Sequence, residues 1–523
     1  MGKGVLQQYW QKLVRRLTDD RTFFTLLLAA GCAWVLKEPL TPLLFNLQTD
    51  AQGNILSKLA VFLFTFLVCT LVIAALKWSN KKLSGLLPQS KPLNTTLDIS
   101  SDKRLSVFLI ILGAGLAVIL LVNQVLPHID TVNWTYINPK IIPTMDPVGN
   151  DFRTGLYRPP HLLLQGEQIY YLNEDGSNLT QYPPLLNLLF MPYQLFSENT
   201  ACLIHMIVLF FANIACLALA ARWAKDFILP HIDFEPQTRM LIAWLLFIFM
   251  SVYTLTGYPF LFSIERGNYD ILALLFAMLA INSLLYKPDR IWLQVILLSI
   301  AVHLKIYPIA LFVPLLFKHG KKLILPALGV NVAFLLVLGP ANALTFLQII
   351  RQNVSTGFTW VGNHSGFSFA TYVSWGYQSV SGNVDWLRTF FTVLPAVMWA
   401  ASAFWAFKKL PSEPVNYLFL FMATAPLMDV IPPISHDYKS VILGPAILLL
   451  LCFLAVKILR ESDFWDFILL LLVTLFLLVL GRSFALNSDQ ALLLNHKYPV
   501  IMALFAIMLI TFKKFMEQPE KHV

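Results

Sequence analysis

The sequence predicts an all-α polytopic membrane protein, on the evidence of its composition, its apolar segments and the placement of its charges. Of its 523 residues, 57% are hydrophobic and only 13% are charged, whereas soluble globular chains carry roughly 25% charged residues. This number of charged side chains is too small to solvate the surface of the chain in water. The surface must therefore face lipid. The net charge of +9 then reflects Lys and Arg retained in cytoplasmic loops, and we expect no nucleic-acid partner.

Long apolar segments recur along the whole chain. Most approach the ~20 residues that cross ~30 Å of hydrocarbon. We predict about fourteen membrane segments, at 22–36, 55–76, 104–126, 201–221, 240–259, 270–286, 291–303, 306–317, 323–345, 386–407, 415–431, 440–456, 464–480 and 498–512.

Three parts follow from this pattern. Residues 1–76 hold a cytoplasmic segment and two transmembrane helices, and residues 77–103 form a polar cytoplasmic linker. Residues 104–523 form a twelve-segment core. The five cysteines all lie in apolar runs without a CxxC pair, which predicts buried thiols and neither a disulfide frame nor a metal site.

The basic residues fix the predicted orientation. Clusters of Lys and Arg precede the first segment and then fall in every second loop, so both termini are predicted to be cytoplasmic. The longest remaining loops then lie outside, at 127–200, 257–269, 346–385 and 432–439. They contain many charged and aromatic side chains, and long ordered loops on a rigid scaffold are where function tends to reside.

Residues 291–317 can be one long span or two short helices. One span would place Lys318, Lys321 and Lys322 outside and reverse every later loop. Pro308 disfavours helix at the residue before it, which favours two short helices broken near Lys305. Irregular backbone at membrane depth occurs only beside protein or a water-filled cavity, so we expect a cavity near this lysine.

Four places in the outer loops or beside them hold candidate functional residues, each with a plainer alternative. Asp151 follows Gly149-Asn150, which is also ordinary turn chemistry. Arg266 stands beside a helix start and could hold a phosphate there. The plainer alternative is an ordinary helix start, with Asn268 as the cap and Asp270 in the first turn. Lys305 lies within apolar sequence, where a cation is costly. Such a lysine either has a function or extends its ammonium to the membrane surface. His436-Asp437 is an oriented imidazole or simply a polar loop. No GxSxG, Walker, HExxH or EF-hand motif occurs.

Five short motifs in order give the core a family resemblance. They are Asp151-Phe152 followed by Tyr157, Gly166 and Tyr170; Gln181-Tyr182-Pro183-Pro184-Leu185; Gly267-Asn268-Tyr269-Asp270; Lys305-Ile306-Tyr307-Pro308; and Ser435-His436-Asp437-Tyr438. Over roughly residues 104–512 the chain resembles the C-type (GT-C) superfamily of membrane glycosyltransferases. Within it, the chain is most similar to glycosyltransferase family 87, the polyprenyl-phosphate-mannose-dependent α-mannosyltransferases. The N-terminal helix pair, the Glu265-Arg266 context and Lys439 depart from that pattern.

The resemblance implies a GT-C-like helical bundle with a defined reaction. A hexose, mannose first, would pass from a polyprenyl-phosphate sugar donor to a glycan or glycolipid acceptor by a single inverting displacement. No metal or other cofactor is required. The expected place is the plasma (inner) membrane, with the active site on the outer face and the polyprenyl tail among the membrane lipids.

The resemblance also implies residue roles. Asp151 would be the catalytic base, because attack by a hydroxyl requires removal of its proton. Four cations would bind the donor phosphate: Arg266, Lys305, His436 and Lys439. The remaining substrate-binding residues would be Arg153, Tyr157, Tyr182, Glu265, Asn268, Tyr307 and Asp437.

Two other functions share parts of this pattern. A transporter or flippase also has many spans and intramembrane charges, but no inverted repeat is visible and the polar residues cluster on one side. A polymerase or ligase of lipid-linked glycans would share the donor and the topology, and it stays open.

Overall fold

A computed structural model describes residues 99–120, 148–172, 180–232, 234, 236–356, 362–376, 385–409, 414–461, 464–481 and 496–516. Over these residues the chain is helical, and β pairing is confined to one bridge between Asn363 and His436. The predicted all-α class is therefore confirmed for this part of the chain. The predicted N-terminal helix pair at 22–36 and 55–76 lies outside it.

The helices are numbered in chain order over the described residues. They are α1 Ile99–Leu120, α2 Asn150–Phe152, α3 Arg158–Leu164, α4 Pro184–Phe190, α5 Glu198–Trp223, α6 Pro236–Thr256, α7 Tyr258–Arg266, α8 Asp270–Tyr286, α9 Ile291–Leu304, α10 Phe312–His319, α11 Ile324–Leu335, α12 Pro340–Thr356, α13 Gly366–Gly376, α14 Asp385–Lys409, α15 Pro414–Val430, α16 Leu443–Glu461, α17 Phe464–Leu480 and α18 Tyr498–Met516. Short π-helical segments lie at Arg153–Tyr157 and Ala224–Ile228. Short 3₁₀ segments lie at Met191–Leu195, Leu229–His231, Tyr307–Leu311, Gly320–Leu323 and Asp437–Ile442.

Several of these helices are suited to a bilayer. Within the described part of the chain, five are long and apolar enough to cross a membrane, or seven if each of two sharply bent pairs counts as one span. This supports a multi-pass membrane protein. The number fourteen remains a prediction.

The chain breaks near Lys305, where the sequence predicted two helices and not one span. Helix α9 ends at Leu304, Lys305 has extended backbone angles (φ −143°, ψ 134°), and a 3₁₀ segment begins at Tyr307. Residues 291–317 are thus not one continuous helix. The second stretch does not end at 317, because helical segments follow one another to Leu335, and Gly320 (φ 56°) opens the 3₁₀ segment that follows α10.

The predicted segment 323–345 is also divided. Helix α11 ends at Leu335 and α12 begins at Pro340. Gly339 (φ 91°) lies between them, and the helical stretches on either side meet at 98°. Hydropathy alone gave one continuous apolar run here, because it does not register the left-handed glycine that turns the chain.

The chain forms two compact units, residues 1–138 with 458–479, and residues 139–457 with 480–523. In the first unit, Arg104 of α1 donates hydrogen bonds to the carbonyls of Leu459 (3.4 Å) and Arg460 (3.0 Å). Gly115 of α1 leaves no room for a Cβ beside Thr474 of α17. These two helices therefore pack closely.

In the second unit, α15 is enclosed by protein, since every residue from Val415 to Val430 is buried. It packs against α14 and α18. Phe419 stacks on Phe512 with ring centroids 3.8 Å apart, and Trp399 donates to Thr424 at 2.9 Å. The Cys202, Cys216 and Cys452 thiols are free, and all three are buried, as was predicted for cysteines in apolar runs.

An apolar cluster lies beside the polar sequence 265–270. It joins α2 and the segment after it to α4, α5, α8 and the end of α9, through Phe152, Leu156, Leu186, Phe190, Leu209, Tyr269, Ala273 and Leu304. Helices α7 and α8 meet above this cluster at 108°. The bend turns the polar sequence 265–270 into a compact corner on a rigid base.

Candidate active site

The corner between α7 and α8 depends on one left-handed glycine. Gly267 has φ 64°, and a Cβ there would lie 2.7 Å from Cβ of Phe152. Glycine alone adopts this backbone without strain and permits this approach. Asn268 follows, and its Oδ1 accepts a hydrogen bond from the backbone N–H of Asp270 (3.1 Å) at the start of α8.

Asp151 meets this corner directly. Its Oδ1 accepts hydrogen bonds from Arg266 Nε (2.9 Å) and Nη2 (2.6 Å), and its Oδ2 accepts one from Asn268 Nδ2 (3.1 Å). The exposed fraction is 14% for the Asp151 side chain and 20% for that of Arg266. Asp151 is therefore held by three donors but still reaches the surface of the protein.

Backbone and ring contacts fix the segment that carries Asp151. The Gly149 N–H donates to the Glu265 carbonyl at 2.6 Å. Phe152 stacks on His205 of α5 with ring centroids 4.7 Å apart. His205 Nε2 lies 3.1 Å from the Gly267 carbonyl oxygen. One buried imidazole thus contacts the segments on both sides of the Asp151–Arg266 pair, and His205 was not among the predicted residues.

Lys305 lies beside the same corner, in the break after α9. Its ammonium is 3.7 Å from Asp270 Oδ1 and lies over the rings of Tyr269 (4.4 Å) and Tyr182 (5.4 Å). Tyr307 donates to the same Asp270 oxygen at 2.7 Å. Two of the predicted residues, Lys305 and Tyr307, therefore meet on Asp270, which was not among the predicted site residues.

Lys439 is a second buried ammonium nearby. It sits 4.3 Å above the Tyr307 ring and is 4% exposed. Its ammonium has no hydrogen bond or ion pair within the described residues, although the charges of Asp429 and Asp270 act on it. A buried cation held by an aromatic face alone is a ready partner for an anion.

His436 is close enough to Asp151 and Arg266 for their charges to act on it. Burial lowers the pKa of its imidazole to about 4, although the Asp151 charge opposes this shift. The ring is therefore neutral at pH 7, and its edge lies against Tyr438 with centroids 5.3 Å apart. As a neutral group, it would offer a hydrogen bond and not the positive charge that was predicted.

Asp437 faces away from this group of residues, into a buried charge network. Its carboxylate contacts His364 Nδ1 (3.3 Å) and Lys497 Nζ (3.2 Å), and His364 Nε2 contacts Asp429 Oδ1 (2.8 Å). Burial alone would lower the pKa of the His364 imidazole, but the two carboxylates outweigh it and raise that pKa. Asp437 was predicted to bind substrate, but its carboxylate is already bound by protein side chains.

The remaining predicted residues divide in two. Tyr182 and Asn268 belong to the group described above, whereas Glu265 touches it through its backbone carbonyl. Arg153 is engaged by the Val148 carbonyl (2.8 Å), Asn199 (2.7 Å) and Glu198 (3.1 Å). Tyr157 donates to the Phe196 carbonyl at 2.9 Å. The last two side chains therefore brace the region around the start of α5.

Asp429 and Lys497 were not among the predicted residues, although the sequence contains a signal for both. Asp429 is an acid inside an apolar helix, and Lys497 stands at the edge of the last apolar segment. Intramembrane charges are costly and are retained in pairs or at functional places. What the sequence did not contain was the link between them, in which His364 contacts Asp429 and Asp437, and Asp437 contacts Lys497.

The family comparison agrees with this geometry. Residues 180–433 match the model of glycosyltransferase family 87. The match includes Tyr182, Arg266 and Lys305, with Asp151 before it and His436 after it. No curated protein and no solved structure matches the chain. The resemblance predicted from the motifs is thereby confirmed: residues 180–433 are similar to glycosyltransferase family 87, and this match implies a membrane glycosyltransferase.

Proposed function

We propose that the protein transfers a hexose, mannose first, from a polyprenyl-phosphate sugar to a glycan or glycolipid acceptor on the outer face of the membrane. The observation that carries this proposal is the meeting of three cations with one accessible carboxylate. Arg266 pairs with Asp151, Lys305 pairs with Asp270, and Lys439 lies over Tyr307 without an ion pair of its own within the described residues.

The charges of this group suit an anionic ligand. Arg266, Lys305 and Lys439 carry three positive charges, and Asp151 and Asp270 carry two negative ones, which leaves one positive charge in surroundings that exclude much of the water. A lipid phosphodiester would balance it with charge-assisted hydrogen bonds. Lys305 and Lys439 both contact Tyr307 or its partner Asp270, so a phosphate between the two ammonium groups is the arrangement we favour.

The reaction would be a single displacement. The acceptor hydroxyl oxygen forms a bond to the anomeric carbon while the bond from that carbon to the phosphate oxygen breaks. The hydroxyl proton passes to Asp151, whose carboxylate has about four lone-pair directions, of which three accept from Arg266 and Asn268. The electron pair leaves with the phosphate, where positive charge stabilises its departure. Inversion follows from attack opposite the leaving group.

A direct assay tests this function. Purified protein would be incubated with radiolabelled polyprenyl-phosphate mannose and a mixture of membrane glycolipid acceptors, and labelled product would be separated by chromatography. We expect transfer from the mannose donor, with glucose and galactose donors compared at equal concentration. Binding without any transfer, together with donor movement across liposome bilayers, would favour a flippase instead.

A further inference from the structure

Four buried titratable side chains lie next to the segment that carries His436 and Lys439. His364, Asp429, Asp437 and Lys497 are each at most 3% exposed in their side chains. Basic and acidic side chains alternate from Lys497 through Asp437 and His364 to Asp429, and each neighbouring pair lies within 3.3 Å.

The two cations come from parts of the chain far from the loop that they hold. His364 stands just before α13, and Lys497 stands just before α18. Asp429 is in the last turn of α15, and Asp437 opens the 3₁₀ segment Asp437–Ile442. The network therefore fixes both ends of the loop 431–437 through polar contacts. Apolar packing would hold these ends less specifically.

Backbone hydrogen bonds set the register of this loop against residues 362–365. The His364 N–H donates to the Ser435 carbonyl and the Asp437 N–H donates to the Gly362 carbonyl, both at 2.8 Å. The Asn363 side chain accepts from the Ser435 N–H (2.9 Å). A two-residue pairing of this kind is too short to be stable alone, so the side-chain charges are needed to keep it closed.

Lys439 depends on this anchor. It lies two residues after Asp437, in the same 3₁₀ turn, and its own N–H donates to the His436 carbonyl at 2.8 Å. A shift of Asp437 would move the whole turn. The Lys439 ammonium, 4.3 Å above the Tyr307 ring, would then leave the place where it meets the donor phosphate.

We propose that His364 is a positioning residue for transfer, clamped between Asp429 and Asp437 so that the turn starting at Asp437 holds the Lys439 ammonium at the donor phosphate. This inference rests on the proposed function, because it takes Lys439 as a phosphate ligand. His364 itself touches no substrate. It acts through Lys439, and that dependence is what an experiment can detect.

A double-mutant cycle tests the dependence. Binding of polyprenyl phosphate to the purified full-length protein in detergent would be measured for wild type, His364→Gln, Lys439→Met and the double variant. We expect each single change to weaken binding roughly 10- to 100-fold, the range for loss of a charge-assisted contact. In the Lys439→Met background, His364→Gln should weaken binding by less than about twofold, since residues in one network are not additive.

The controls separate positioning from general damage. His319→Gln removes another part-buried histidine, one that contacts Gln294 at 2.6 Å, and it should leave binding unchanged. If His364→Gln fails to fold, the pair His364→Gln with Asp429→Asn replaces both partners of one contact together, and the same cycle is run with that pair.

The outcomes are distinct. Equal weakening by the His364 change in both Lys439 backgrounds would overturn the positioning role while leaving the proposed function standing. Wild-type protein that binds no polyprenyl phosphate, or Lys439→Met that binds like wild type, would instead overturn the phosphate role of Lys439 and this inference with it.

Discussion

At Asp151, the surrounding donors hold the carboxylate in one orientation and leave it able to accept one more hydrogen bond. Arg266 donates two hydrogen bonds to Oδ1, and Asn268 donates one to Oδ2. An acceptor hydroxyl can therefore approach Oδ2 without disturbing the ion pair. As the proposed base, Asp151 would need little reorganisation when the proton moves, which is the condition for efficient general-base catalysis.

Replacement of Asp151 by Asn should abolish transfer and leave donor binding within a few-fold of wild type. Asparagine keeps the shape but cannot accept the proton, and general-base assistance is worth roughly 10²–10⁴ in rate. Rates and donor affinity would be measured separately on purified protein. Asp226→Asn is the matched control, because the Asp226 carboxylate accepts a hydrogen bond from Tyr286 outside the Asp151 group. Wild-type transfer by Asp151→Asn would remove it as the base.

His436 should make stability depend on pH on the acidic side of neutrality. Its folded pKa, about 4, is lower than the unfolded value of about 6.5. The unfolded chain then binds more protons between these values, so stability is complete above pH 6.5 and is lost as the pH falls towards 4. His436→Gln should abolish part of this loss, about 2 kcal/mol after allowance for partial exposure. Melting temperatures in detergent at pH 7.5, 6 and 5 would show it.

A melting temperature that fell equally with acidification in wild type and His436→Gln would contradict this assignment. His496 is a second source of the same sign, since burial lowers the pKa of its imidazole to about 3. Acid sensitivity that persists in His436→Gln but disappears in His496→Gln would place the effect on that residue.

Individual residues were predictable from the sequence where they carry a costly charge in apolar surroundings. Lys305 stands out for that reason, and Asp151 and Arg266 stand out as charges in outer loops. His205 does not, because a histidine in an apolar helix has no charge to signal it. Its place between Phe152 and the Gly267 carbonyl arises only when distant segments pack together.

At the scale of elements, the sharp corner between α7 and α8 does most to form the site. A straight helix through residues 258–286 would carry Arg266 and Asp270 along its side. The 108° bend instead exposes the end of α7 and the start of α8 together. Arg266 then faces Asp151 while Asp270 faces Lys305 and Tyr307.

Gly267→Ala should therefore cost both stability and transfer. A left-handed backbone costs a non-glycine residue about 1 kcal/mol or more, and the added Cβ would lie 2.7 Å from Phe152 Cβ. We expect a loss of about 1–3 kcal/mol with reduced transfer, measured by thermal unfolding and by the labelled-donor assay. Gly113→Ala is the control, since a Cβ there meets nothing within 4 Å. An unchanged Gly267→Ala protein would show that the corner tolerates a side chain.

The sequence located most helices well and located their interruptions unevenly. Proline 308 correctly indicated a break before Tyr307, because it restricts the preceding residue. The break at Gly339 was missed, since glycine is also common within membrane helices. The register of loop 431–437 against residues 362–365 was likewise out of reach, because the two segments are some seventy residues apart in the chain.

At the scale of the whole molecule, charge and hydropathy carry most of the argument for topology. Basic clusters at Lys287 and Arg290 and at Lys318 to Lys322 fall on the cytoplasmic side only if the chain returns between them. The break at Lys305 supplies a place for that return. Asp151, Arg266 and Lys305 then share the opposite side, which accords with their meeting in one group.

Cysteine accessibility in intact cells should reveal this topology. In a variant whose five cysteines are replaced by alanine, Gln165→Cys would report on the loop 127–200 and Lys321→Cys on the basic loop after α10; both positions are exposed. A membrane-impermeant maleimide should label Gln165→Cys in intact cells and Lys321→Cys only after permeabilisation. The reason is that positively charged loops are retained in the cytoplasm during insertion. Labelling of Lys321→Cys in intact cells, with Gln165→Cys protected, would place the Asp151 group on the cytoplasmic face, where the donor would have to present its phosphate from the inner leaflet. Labelling of both from outside would mean that the chain does not return at Lys305, and that residues 291–317 cross the membrane despite their break.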